Sequence, residues 1–484
     1  MIKRFLVILF IAAFSGSVIY AQEFGFGFAF TDDGEESSSE ESFGFAPAAG
    51  SSPAVLISGE VSAAIIGYLD EISEGPGNVN TRDMFAFSGK LNFLARTSYA
   101  EGVINLRLVP ALVPVSIDEA YIRAFFGSFD ITAGLRKLSW GKADQFGPLD
   151  IINLPDSSKI FTEMADNNSL MSVKIAAPVI HVSYRFGMFS KIEGLFLPSF
   201  EITSMAVSSA VNGSSQMLEF VSGPLSDKWM PAQMDDLKIL LSNGIKFEDT
   251  ETNTLDYTQA GLRFTTTIGS ADVGIQYFYG RMFQPAVKFI IEAPSDIKFE
   301  FIHNKYHQIG LDYAQVLAGF NIRAEFAANI TEDIKGDDGL IYNPSLGWSF
   351  GFDRDIIAGV NINFQANGSV RLLNDKVGSS KEAFTYVPTL EIIPDYDIEA
   401  GTKMTATRLT AMLSKKFLRD ELELRAAFVW GIEDMDFAVI PALIWTKDDL
   451  RTALSGGFFA GNSDGQLGQY KKNNFLKLSI TYMF

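Results

Sequence analysis

Three arrangements in this 484-residue chain have the residue types of a reactive site. Gly461-Asn462-Ser463-Asp464-Gly465 spells the G-x-S-x-G pattern of a serine nucleophile, which needs a sharp strand-to-helix elbow and a histidine base. His303 and His307 stand four apart, the spacing that turns two imidazoles toward one metal on a helix. Asp333, Asp337 and Asp338, with Gly336 and Gly339, form an acidic turn whose oxygens could hold calcium. Each lacks its required context. Ser463 falls in a predicted loop with no helix after it. The two histidines lie in loop and strand. The acidic turn lacks the regular ligand spacing of a calcium loop. The chain has 3 His and no Cys, which excludes thiolate zinc sites, iron–sulfur clusters, disulfides and a lipidated cysteine. The expectation is a protein with no catalytic residue, metal or cofactor.

A second set of residues has regular spacing. Glu119 and Arg123, then Asp130 and Arg136, cluster on one face of an alternating pattern, and Arg263, Glu325, Glu421, Glu423 and Arg425 occupy the corresponding face of later strands. If that side faces water inside a pore, opposed acidic and basic rows would set a transverse field that orients polar solutes. The competing reading is that these charges pair with one another on a wet wall.

The elements that carry them have a period of two. Leu476, Leu478, Ile480, Tyr482 and Phe484 share one side of the last segment; Phe475, Lys477, Ser479, Thr481 and Met483 share the other. Around Gly127-Ser128, Ala120, Ile122, Ala124 and Phe126 share a side with Phe129, Ile131, Ala133 and Leu135. About eighteen such segments run from residue 55 to 484, among them 169–177 and a single long one at 179–197. Tight turns at Gly127-Ser128, Gly269-Ser270, Arg419-Asp420 and Lys447-Asp448 alternate with long connections near 139–168, 198–256, 282–305 and 371–402. No apolar run after the N-terminus reaches the ~18 residues of a spanning helix.

The fold expected is all-β: a transmembrane antiparallel β-barrel of 16–18 strands, with short periplasmic turns and long external loops. In hydrocarbon every backbone polar group needs a partner, so strands can span only as a closed ring. About 11 residues at ~3.3 Å, tilted near 40°, reach roughly 27 Å, close to an outer-membrane apolar band. Eighteen strands give a backbone diameter of about 36 Å and an opening on the order of 15–20 Å before any loop folds inward. The 198–256 connection is the expected constriction or plug. Trp348, Trp430, Trp445, Tyr482 and Phe484 are expected in interfacial aromatic belts.

Composition agrees. The net charge of −19 argues against nucleic acid, and 42 Phe with 41 Gly suit an exported β-rich chain. Residues 1–21 have the basic start, apolar core and terminal Ala of a cleaved signal peptide. Residues 22–54 form a Phe/Gly and acidic-serine leader, expected to be flexible, and 55–484 the barrel.

The chain resembles the porin-like outer-membrane β-barrels of diderm bacteria. Two features carry this: the alternating C-terminus Leu478, Ile480, Tyr482 and Phe484, and a segment with Trp140, Gly141, Asp144, Asp150, Asn153, Pro155 and Asp156. The resemblance implies that the C-terminal pattern serves as the insertion signal. It also implies that the Trp-Gly segment leads from an upward strand into an external or pore-lining loop. The expected partners are outer-membrane lipids, the barrel-assembly machinery and small hydrophilic solutes, as a monomer or homotrimer. The function expected first is a passive channel; the alternatives are a closed barrel acting as surface adhesin or receptor through its loops, and an outer-membrane hydrolase.

Overall fold

The structure, a computed structural model, describes residues 54–69, 85–109, 115–145, 147–153, 170–200, 246–248, 254–283, 286–293, 296–373, 403–462, 465, 467–472 and 474–484. The signal-peptide reading of 1–21 and all but the last residue of the 22–54 leader lie outside them. So do Pro155 and Asp156, and almost all of the 198–256 connection.

The chain opens with β1 (Ala54–Tyr68), β2 (Phe85–Arg96), β3 (Ala100–Leu108), β4 (Ser116–Phe126), β5 (Phe129–Arg136), β6 (Ala177–Phe186) and β7 (Ser190–Leu197). Short β8 (Lys246–Glu248) is followed by β9 (Gln259–Ile268) and β10 (Ala271–Arg281), then by β11 (Ala286–Ala293) and β12 (Asp296–Ile302). β13 (Lys305–Leu317), β14 (Phe320–Thr331), β15 (Ser345–Asp355), β16 (Val360–Arg371) and β17 (Thr405–Phe417) come next. The chain ends with β18 (Leu422–Gly431), β19 (Asp436–Lys447), β20 (Leu450–Gly461) and β21 (Phe475–Met483).

Eighteen of these strands form one sheet, each antiparallel to its neighbours. It closes where β1 meets β21, with Val61 opposite Tyr482 and Ile65 opposite Leu478. Gly59 and Phe484 exchange both main-chain hydrogen bonds at 2.8 and 2.9 Å. Closure leaves no strand edge unpaired, the condition for crossing a bilayer. β8, β11 and β12 form a separate three-stranded sheet within the long connections. The connections alternate as expected: 127–128, 269–270, 318–319 and 448–449 at one end, and 137–176, 198–258, 282–304 and 372–404 at the other.

The two sides of the ring differ in chemistry. Outward residues are apolar and open, among them Ile122, Leu262, Leu311, Leu424 and Leu478. Inward residues at the alternate positions are polar and enclosed: Gln276, Gln308, Asp312, Arg323, Asn363 and Gln365. A soluble protein would bury the first set, so this inversion is what a barrel in lipid requires. Aromatic rings collect near the strand ends of the outer face. Phe129, Tyr184, Phe186 and Phe264 stack in series at 4.3, 5.9 and 6.0 Å toward the short turns. Toward the other end Tyr277 and Tyr279 flank His307 at 5.9 and 5.1 Å. Trp430 and Trp445 face outward near opposite ends, and Tyr482 stacks on Phe484 at 6.4 Å.

Two expected segments need correction. Residues 169–177 are not a spanning strand: Leu170–Val173 is a single helical turn, and β6 starts only at Ala177. The run 179–197 is not one strand but β6 and β7, folded back at residues 187–189. The errors cancel, so the total of eighteen stands. Met188 and Phe189 are exposed apolar residues at that turn and carry the strand-like pattern straight through it.

Candidate functional site

The chain leaving β5 does not rise away from the barrel; it folds against the inner wall. Leu138, Trp140 and Ile152 make its apolar foot, packed on the inward residues Val179, Leu195, Leu197, Phe278 and Tyr306. Trp140 is 2% exposed and lies where a Cβ on Gly261 would meet its indole at 2.7 Å, so the bare backbone of β9 makes room for the ring.

Beyond the foot the wall grips the loop by its main chain. Glu325 of β14 accepts hydrogen bonds from three backbone amides: Lys142, Ala143 at 2.7 Å and Leu149 at 3.3 Å. Gln365 of β16 accepts from the Gln145 amide at 3.0 Å. Gln276 of β10 donates to the Leu149 carbonyl at 3.1 Å, and Gln308 of β13 to that of Pro148 at 3.0 Å. One side chain of the loop joins in: Asp144 takes Arg323 at 2.6 Å and Asn363 at 3.0 Å. The loop is therefore fastened along β10, β13, β14 and β16 inside the ring.

Its base is pinned separately. Asn153 accepts from the Leu138 amide at 2.6 Å and donates to the carbonyls of Arg136 and Ile175 at 3.1 and 2.7 Å. Lys174, wholly buried, donates to Asp150 at 2.6 Å and to the Leu138 carbonyl at 3.2 Å. Burial pushes the Asp150 carboxyl up and the Lys174 ammonium down, and each partly offsets this in the other. Breaking a buried pair from one side strands the other charge. Lys174→Met should cost the docked loop about 3–5 kcal/mol, and Asp150→Asn in the same chain should recover most of it. Amide exchange over 138–153 measures both; unchanged protection in Lys174→Met would refute this role.

Inward charges from β1 to β13 meet partners of opposite sign, and further along the ring Arg371, Arg408, Arg425 and Lys477 are also enclosed on the inner side. Lys90 meets Glu60 at 2.7 Å, Arg123 meets Asp130 at 3.2 Å and Glu101 at 3.7 Å, and Arg185 meets Asp130 at 2.6 Å. Lys191 meets Glu193 at 3.4 Å, and Arg263 meets Asp312 at 3.0 Å. Glu119 faces inward and accepts from Asn105 at 3.0 Å and from the Lys137 amide at 2.9 Å. Arg136 also faces inward, donating to Thr132 at 3.1 Å, and Glu423 lies 4.0 Å from Arg425 on β18. Glu421 needs correction: it sits in the turn before β18, not on a strand. Arg263 and Glu325 point inward but are only 4% exposed, so they do not line an open water path.

The other chemistry-bearing residues do not converge. His307 lies on the outer face with Tyr277 Oη 2.7 Å from its Nδ1, whereas His303 is buried with Nδ1 2.9 Å from the Met282 carbonyl. Burial holds His303 down to about 4, so it is neutral near pH 7. Asp333 takes the Asp338 amide at 2.8 Å, closing the acidic turn on itself. Ser463 and Asp464 lie outside the described residues; just after them, Leu467 and Gly468 donate main-chain amides to Asp436 at 2.7 and 3.2 Å.

Sequence reasoning missed Gln276, Gln308, Gln365 and Lys174. The three glutamines had one signal, since each occupies an inward position of its strand. Lys174 had none, because its partner and its burial arise only from the folded loop.

These observations define the class: a closed, 18-stranded antiparallel transmembrane β-barrel with a loop docked on its inner wall. Neither a protein-family model nor a curated relative matches the chain. Among solved structures it is similar to OccK3 (OpdO) of Pseudomonas aeruginosa, with TM-score 0.48, 7% identity, and 89% of this chain and 95% of that one covered. It is also similar to a BenF-like porin of Pseudomonas fluorescens Pf-5, with TM-score 0.47, 7% identity and coverage of 89% and 98%. A third is Wzi of Escherichia coli, described as a carbohydrate-binding β-barrel, with TM-score 0.45, 10% identity and coverage of 88% and 84%.

Proposed function

We propose that this protein is an outer-membrane channel that passes small hydrophilic solutes by diffusion through a loop-narrowed lumen. One observation carries the reading: a ring of eighteen strands, apolar outside and polar inside, holds an internal loop along only part of its wall. A ring of this size exceeds what its own side chains can fill. Inward charged and polar side chains would make the path water-lined. Export follows from the 1–21 signal peptide, and membrane insertion from the terminal strand with Leu478, Ile480, Tyr482 and Phe484 outward. Outer-membrane lipids and the assembly machinery are the partners, with the channel acting as a monomer or homotrimer. Purified protein added to planar bilayers should give stepwise conductance increments. Protein that inserts yet leaves the bilayer silent would overturn the reading.

The adhesin or receptor alternative draws on the three-stranded sheet of β8, β11 and β12, since a plain channel does not need a folded element in its connections. Removing 286–302, and with it β11 and β12, separates the two, because a channel keeps conducting whereas a receptor loses its partner.

A further inference from the structure

Residues 141–145 and 147–149 are folded around a carboxylate. Main-chain amides of Lys142, Ala143 and Leu149 converge on the two oxygens of Glu325. Successive amides turned toward one point form a concave anion site, as in phosphate-binding loops. Two glycines keep it open. A Cβ on Gly141, whose φ is +106°, or on Gly147 would strike the Glu325 carboxylate itself. Glu325 and Leu149 are buried and Lys142 and Ala143 half-buried, and the charged groups nearest Glu325 on neighbouring elements are already engaged. Asp312, its cross-strand partner on β13, holds Arg263; Arg323 on its own strand holds Asp144 and Asp353; Lys174 holds Asp150. No cation on these elements is paired with Glu325 among the contacts described, so the carboxylate is satisfied by the loop's amides.

We propose that the amides of Lys142, Ala143 and Leu149, kept open by Gly141 and Gly147, form an anion-binding nest for a small carboxylate, that Glu325 is its tethered occupant, and that filling the nest positions the constriction. The part about constriction rests on the channel reading; the nest does not. Glu325 is thus a positioning residue, replaceable by a free ligand of the same chemistry. Glu325→Ala removes the carboxylate and leaves a gap shaped for acetate.

The test reads amide exchange over 140–150 in detergent micelles, together with conductance in bilayers. Glu325→Ala should raise exchange in this segment roughly tenfold or more, since charge-assisted hydrogen bonds are lost. Acetate should restore protection in a saturable manner, whereas its neutral isostere acetamide should not. Gly147→Ala, which leaves every strand intact, should loosen the loop to a similar degree and resist acetate, because the added methyl fills the nest. Unchanged exchange in Glu325→Ala, or equal rescue by acetamide, would overturn the proposal. Should Glu325→Ala fail to fold, unchanged exchange in Gly147→Ala would overturn it instead. A silent wild-type channel with acetate-rescued exchange would sink the channel reading and keep the nest. A conducting wild type with no rescue would do the reverse.

Discussion

Replacing Trp140–Asp150 by a four-residue Gly-Ser linker, with Lys174→Met so that no orphan ammonium remains, should raise single-channel conductance at least about twofold. The opening left by eighteen strands is on the order of 15–20 Å, and a docked segment of backbone and side chains fills a large fraction of that section. Ionic conductance scales with the open section, so removing the segment acts directly on it. The strands are expected to survive, because the loop contributes no ladder hydrogen bond to the ring. Its lost contacts are the packing of Trp140 and the hydrogen bonds to Glu325, Gln365, Gln276, Gln308, Arg323 and Asn363, whose side chains would then face water. Unchanged conductance would mean that ions pass elsewhere and that the loop is scaffolding.

The second large effect belongs to the outer face. Leu311 lies midway along β13, 52% exposed, opposite Ile275 on β10 and Phe326 on β14. Leu311→Arg places a guanidinium at the depth where the bilayer is driest and should cost about 2–4 kcal/mol. Asn92→Arg is the control: Asn92 faces inward, bonded to Ser58 at 3.5 Å, and its replacement should be nearly neutral. Denaturant titration of protein refolded into lipid vesicles measures both. Equal midpoints would contradict a hydrocarbon-facing Leu311, because a water-facing surface tolerates arginine.

Much of the ring could be read in the sequence because its signal is local. Alternation assigns each residue a side without knowledge of its partner, so Glu119, Arg123, Asp130 and Arg136 turn inward as expected. Where the local signal was false, the reading failed. Met188 and Phe189 continue an apolar pattern through a turn, and the helical Leu170–Val173 looks strand-like by composition. The docked loop was less legible for a different reason. The wall holds it by backbone atoms, which every residue has, so its own side chains record little of the contact. Glu325 lies about 180 residues from the amides it receives, and nothing local to either site marks the pairing. The longest connection, 198–256, the expected constriction, lies almost wholly outside the described residues; the loop on the inner wall follows β5.

The seam between β1 and β21 also governs how this protein comes into being. Ser62 and Thr481 meet at 2.7 Å across 419 residues, so almost the whole polypeptide must be threaded before those two segments can touch. Contacts that distant are kinetically slow, since the entropy of so long a chain opposes them until the intervening hairpins have zipped. Every intermediate before that moment carries two raw β-edges, which are templates for mispairing with another chain. Maturation of this molecule is therefore gated by its last nine-residue strand, and lesions there should accumulate as aggregates during biogenesis instead of as defective finished barrels.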